Sequence, residues 1–296
     1  MKTKKNKYSP PLISFDYAIK YLLKSRENYD ILEDFISKIL SIGKHKPIKI
    51  SALLDPESAI ESKGAKKSIA DLIVKDIEGN QYIVEIARGY NPNFLHKSCF
   101  STSRSIIDSI NTSEDYRKIK KVFHITLIYD ILNDLEGSLY HGKTIFHNID
   151  KDQPIDITLS ETSLKSYKVL NIFPEYFIIC IPNFQDKIHS ELDEWLYVMK
   201  YEKIKQSFKS PLMSRVMDRL NVLKMDENAR MLYYKYKKEV ITTQENLATK
   251  FLQGKKKGKE EGLKQAAKNM LNLGLNTKQI SQATGLSLAE IEAIEQ

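Results

Sequence analysis

Apolar residues recur at helical spacing at Phe15, Ile19, Leu22 and Leu23, and again at Leu32, Phe35, Ile36, Ile39 and Leu40 after a polar break. Ser14 stands where an N-cap belongs, and residues 1–13 ahead of it read as a flexible basic arm ending in Pro10-Pro11. The period then changes. Ile48 to Leu54 predicts a short strand. Ser68 to Lys75 and Gln81 to Ile86 predict two more, joined by the turn signal Glu78-Gly79-Asn80 into a β-hairpin that the first strand flanks. Phe94 to Ile110 predicts a helix with Phe94, Cys99, Ile106 and Ile110 inward. Val122 to Tyr129 is almost wholly apolar, as suits a strand covered on both faces. Shorter strands are expected over 144–148, 167–173 and 176–181. From Ser190 the helical period returns, with Leu192, Trp195, Leu196, Val198 and Met199 on one face and Met213, Val216, Met217, Leu220 and Leu223 continuing it. Such alternation of strands and helices is an α/β pattern with an all-helical C-terminal extension.

The hairpin carries the first candidate chemistry. Side chains alternate faces along a strand, so Asp71, Glu85 and Ala87, all odd-numbered, share a face if the loop is the three residues 78–80. That register sets Asp71 opposite Ala87 and Ile73 opposite Glu85. A two-residue loop would put the acids on opposite faces. Asp71 lies among Ile69, Ala70, Leu72 and Ile73, where an ionised carboxylate is costly unless a cation neutralises it. A divalent ion would do so, and carboxylate oxygens suit Mg2+.

Asp71 followed by Glu85-Ile86-Ala87 resembles the core of the PD-(D/E)XK nuclease superfamily, and within it the bacterial Rpn-type recombination-promoting nucleases, often described as transposases. Further stretches carry the resemblance: Phe15-Asp16-Tyr17-Ala18-Ile19-Lys20, the strand Phe123 to Tyr129, Ile181-Pro182-Asn183-Phe184, and Thr284-Gly285-Leu286-Ser287 before Glu290-Ile291. It implies a restriction-endonuclease-like mixed β-sheet flanked by helices over residues 14–189. It also implies a metal-dependent DNA endonuclease, with Asp71 and Glu85 holding Mg2+, or Mn2+ in its place. The backbone oxygen of Ile86 and the opening-helix acid Asp16 would complete the metal shell. The chain departs from the family at Ala87, where relatives carry Gln or Lys. Lys97 and Arg88 are the cations expected to take over that role, and Arg104 is expected to serve a solvated face. The alternative is a nuclease-derived protein that binds DNA or a partner without cutting.

Composition adjusts this picture. The chain has 296 residues, 42% hydrophobic and 28% charged, enough for one sizeable core plus an appendage. Its net charge of +8 favours an anionic partner such as DNA. Cys99 and Cys180 form no CxxC pair, and the spacing of His141 and His147 is no zinc pattern. His124 reads as a core histidine. The basic N-terminus lacks the apolar core of a signal peptide, and Tyr176 to Ile181 is too short to cross a bilayer, so a cytoplasmic protein without a membrane span is expected.

Beyond residue 189 the expected divisions are a helical extension over 190–253, a charged hinge or weak continuous helix over 254–262, and a small helical unit over 263–296. The run Tyr233-Tyr234-Lys235-Tyr236-Lys237-Lys238 reads as a packed face beside a solvated one. Ile280 to Ser287 resembles a helix-turn-helix, with Ser287-x-x-Glu290 as a capping box. Its last helix carries Glu290, Glu292 and Glu295 and no Lys or Arg, which phosphates would repel. Self-association through these C-terminal helices is the better expectation.

Overall fold

The computed structural model describes residues 11–54, 70–89, 92–111, 113–131, 135–155, 159–161, 165–167 and 172–295. Most of the basic arm and Ser68 at the start of the expected hairpin lie outside them. Helix α1 (Phe15–Tyr17) runs on as a π-helical turn over Ala18–Leu22, and α2 (Tyr29–Leu40) follows a short 3-10 turn. Then come β1 (Ile50–Leu54), β2 (Leu72–Asp76), β3 (Gln81–Ala87), α3 (Phe94–Asp108) and β4 (Val122–Ile128). Next are β5 (Leu139–Gly142), the two-stranded pair β6 (Phe146–Asn148) and β7 (Gln153–Ile155), a second pair β8 (Leu159–Glu161) and β9 (Lys165–Tyr167), and β10 (Glu175–Cys180). Helices α4 (Glu191–Tyr201), α5 (Met213–Arg219), α6 (Glu227–Asn272), α7 (Thr277–Thr284) and α8 (Leu288–Glu295) complete the chain.

Six strands form one mixed sheet in the order β1, β2, β3, β4, β10, β5. β3, β4 and β10 are parallel neighbours, and the strands outside them pair antiparallel. β4 is buried along its whole length, as its unbroken apolar run requires. One sheet face presents Tyr82, Val84, Phe123, Ile125, Leu127, Phe177 and Ile179, all buried. α2 and α4 meet through Phe35 and Trp195, whose ring centres are 5.4 Å apart, with Phe15 at 4.7 and 5.3 Å from them. Trp195 donates its indole N–H to Asp34 at 2.8 Å, so this fully buried residue is core.

Three expectations change. Asp76 closes the hairpin turn together with the expected Glu78-Gly79-Asn80 run, and this shifts the register. Its Oδ1 accepts from the backbone N–H groups of Glu78 and Asn80, and its Oδ2 accepts from the Tyr82 hydroxyl at 2.7 Å. Gly79 takes the left-handed φ of 91° that the turn needs. The pairing is therefore Ile73 with Ile83 and Lys75 with Gln81, two residues from the expected register. Two is even, so Asp71 and Glu85 still share a face. Next, α3 buries Ser98, Ser101, Thr102 and Ser105, while Cys99 is exposed. The arm also ends earlier than expected. Leu12 and Ile13 are buried, and their N–H groups donate to the carbonyls of Glu202 and Leu220, because two adjacent large apolar residues are better covered than left in water. Residues 254–262 belong to the single helix α6, the continuous helix that was one of the two readings expected there.

The chain divides into two compact units, 1–233 and 234–296, so α4, α5 and the first turns of α6 group with the sheet and not with a separate extension. In the second unit Ala267, Ile280, Leu286 and Ile291 form a small core of their own. Asn276 and Gln279 cap α7 reciprocally, Gly285 ends it at φ 75°, and Ser287 with Glu290 caps α8. Among the described residues no helix is long and apolar enough to cross a membrane.

At the far end of the sheet Glu175, 4% exposed, gathers three partners. Its Oε2 accepts from Nε2 of His45 at 2.7 Å and of His141 at 2.8 Å, and Lys121 Nζ lies 2.8 Å from Oε1. Burial alone would raise the pKa of this carboxyl, yet His45, Lys121 and His141 outweigh it and hold the group at about 2. A carboxylate lowered on folding stabilises the fold above its ordinary value of 4.5, and that contribution fades as pH falls through about 2. Glu175→Gln is expected to destabilise the protein at pH 7 and to flatten the loss of melting temperature between pH 5 and the acid limit. An unchanged acid profile in a pH series of thermal melts would show that this cluster does not couple to folding.

Candidate functional site

The open end of the β2–β3 hairpin collects the candidate residues. Leu72 pairs with Val84, and one further step of the same register sets Asp71 beside Glu85. Asp71 Oδ2 accepts the backbone N–H of Ile86 at 2.8 Å, which fixes the carboxylate against β3 past the end of the ladder. A strand residue turns its N–H and C=O to the same side, so the Ile86 carbonyl faces that end as well. Lys20 Nζ, from the π-helical turn, lies 3.4 Å from Asp71 Oδ1.

Glu85 is almost fully buried between β3 and α3. Its Oε1 accepts from the Ser101 hydroxyl at 2.9 Å, and His124 Nε2 sits 3.7 Å away. Lys97 Nζ lies 3.2 Å from Oε2. Burial pushes the Glu85 carboxyl up, but His124, Lys97 and Ser101 together outweigh that and keep it below the usual carboxylate value. The carboxylate is therefore ionised at neutral pH. The network continues inward: His124 Nδ1 and Thr126 Oγ1 are 3.3 Å apart, and Thr102 Oγ1 meets the Tyr176 hydroxyl at 2.9 Å. Small hydroxyl residues on α3 let helix and sheet approach closely while satisfying polar groups that apolar residues would strand.

Arg88 follows Ala87 directly and serves Asp16. Its Nε and Nη2 both reach Asp16 Oδ2, at 2.7 and 2.6 Å, and its guanidinium lies 4.1 Å from the centre of the Tyr129 ring. Asp16 is fully buried. Ala87 is half-buried and pairs with Ile128. Arg104 pairs with Asp108 one turn along α3, on an exposed surface.

So the fold brings Asp71, Glu85, Ile86 and Lys97 to one hairpin end and joins Arg88 to Asp16 nearby. Lys20, Ser101 and His124 were missed as site neighbours. For Ser101 a signal existed, since Ser98, Ser101, Thr102 and Ser105 fall at i, i+3, i+4 and i+7. The donor set suits a hard cation. Two carboxylates and a backbone carbonyl offer oxygen only, and Mg2+ takes one or two carboxylates and fills its shell with water and phosphate. Among the described residues no three His, Cys, Asp or Glu side chains are gathered that could hold a metal.

A mixed sheet flanked by helices, with an acid pair at the open end of its antiparallel hairpin, is the restriction-endonuclease-like class of nuclease fold. Residues 13–250 match the family described as PD-(D/E)XK nuclease family transposase, and the chain belongs to that family. No curated protein and no solved structure matches it. Family membership supports a nuclease-like function acting on DNA.

Proposed function

We propose that the chain is a metal-dependent DNA endonuclease that hydrolyses phosphodiester bonds, and that it serves recombination or a mobile element. One observation carries the reading: Asp71, directly ahead of β2, and Glu85, on β3, meet at an open hairpin end, each faced by a lysine ammonium. Mg2+ or Mn2+ bound by Asp71, Glu85 and the Ile86 carbonyl would supply Lewis-acid polarisation of a phosphate and a more acidic water. The Ile86 N–H orients Asp71. Ser101 and Lys97 hold Glu85 ionised and fixed. Lys97, 44% exposed, can also meet an incoming phosphate. The net charge of +8 draws DNA toward the surface.

Ala87 favours a second reading, a family member that binds DNA but no longer cuts. Nicking of supercoiled plasmid by the purified chain separates the two. The expected result is cutting in Mg2+ and Mn2+ and none in EDTA. A folded protein that retards DNA but leaves it intact in both metals would establish the second reading.

A further inference from the structure

We propose that Lys20, from the π-helical turn, is the catalytic cation of this site and takes the place left by the missing side chain at position 87. The inference rests on the nuclease reading above. Glu85-Ile86-Ala87 ends in a methyl group where the pattern calls for a side chain that can donate to phosphate. The residue after it, Arg88, clamps Asp16, and Lys20 lies one turn beyond Asp16 in the same helical segment. The clamp fastens the helical segment to the end of β3, and the Lys20 ammonium arrives 3.4 Å from Asp71 Oδ1. Absence of a donor side chain at 87 and presence of a cation from the opening helix thus coincide at the same end of the same hairpin. The π-turn over Ala18–Leu22 is the local irregularity that often accompanies functional positions.

Among the described residues Lys97 is a second ammonium at this hairpin end, and its setting differs. It lies against Glu85, whose Oε1 accepts from the Ser101 hydroxyl and lies 3.7 Å from His124 Nε2. Asp71 has the Ile86 N–H and Lys20. A divalent ion held by Asp71 would balance that carboxylate, and the Lys20 ammonium would then be able to meet a phosphate there. In the step it assists, a water oxygen forms the new P–O bond and the old ester P–O bond breaks, its electron pair leaving on the departing oxygen. The water proton passes to solvent, and solvent protonates the departing oxygen. Lys20 donates to a non-bridging phosphate oxygen as negative charge builds there, and stays protonated throughout.

The test compares parent, Lys20→Met, Ala87→Lys and the Lys20→Met/Ala87→Lys double variant for plasmid nicking, Mn2+ affinity by calorimetry, and melting temperature. Lys20→Met is expected to lose about a hundredfold or more in cutting rate while binding Mn2+ at least as tightly as the parent. The double variant is expected to regain most of the rate. A lysine that only balanced Asp71 would show no such rescue. Parental cutting by Lys20→Met, or a double variant as slow as Lys20→Met while melting like the parent, overturns the assignment and leaves the nuclease reading standing. A parent that binds no metal and cuts nothing overturns both.

Discussion

Asp71→Asn is expected to lower metal-dependent plasmid nicking by about a hundred- to a thousandfold while moving the melting temperature by only a few degrees. The size follows from removing one of two charged oxygen donors from the site where transition-state charge must be balanced. The small thermal effect follows from the surroundings. Asn keeps an oxygen able to accept the Ile86 N–H, and the lost ion pair with Lys20 is partly exposed, 29% and 23% for the two side chains, a class worth at most about 1 kcal/mol. Glu85→Gln should match the kinetic loss with a larger thermal cost, because it strips the charge from a carboxylate that His124 and Lys97 hold ionised. Both are read from initial nicking rates set against scanning calorimetry. Parental rates in either variant would move the active site elsewhere.

Arg88→Met is expected to be the most damaging surface-to-core substitution, at about 3–5 kcal/mol, since it strands the fully buried Asp16 carboxylate without its guanidinium. For a compact unit of this size that amounts to roughly 10 °C in melting temperature. Removing the charge as well should repair much of it, so Arg88→Met/Asp16→Asn is expected to melt well above Arg88→Met alone. Thermal melts of the two variants decide the matter. An Arg88→Met protein as stable as the parent would mean that the pair is not what ties the opening helix to β3.

The acid pair was legible in the sequence because strand alternation depends only on odd and even positions. The register was not, because Glu78-Gly79-Asn80 marks the turn on residue type, whereas the Asp76 side chain closes the loop one residue earlier. The error was harmless only because the slip was two residues. The inward face of α3 was misread in part, since apolar residues were sought there: Ile106 does pack against Ala70, Ile83 and Val122, but the buried positions are Ser98, Ser101, Thr102 and Ser105. Lys20 was out of reach for a different reason. Its partner Asp71 is far along the chain, and no periodicity records a contact between an opening helix and a hairpin. The C-terminal unit lies at the other extreme. Its caps, its left-handed glycines and its four-residue core are local, and α7 spans Thr277–Thr284 as its sequence signals indicate.

The central claim is that this hairpin end binds a divalent ion through Asp71 and Glu85. Electron paramagnetic resonance of Mn2+ titrated with the purified chain tests it most directly, because the signal of the free aqueous ion falls as the ion is bound. The account requires one site per chain in the parent, and none of comparable affinity in Asp71→Asn or Glu85→Gln. Equal loss of the free signal in parent and variants, or no loss in the parent, would contradict it.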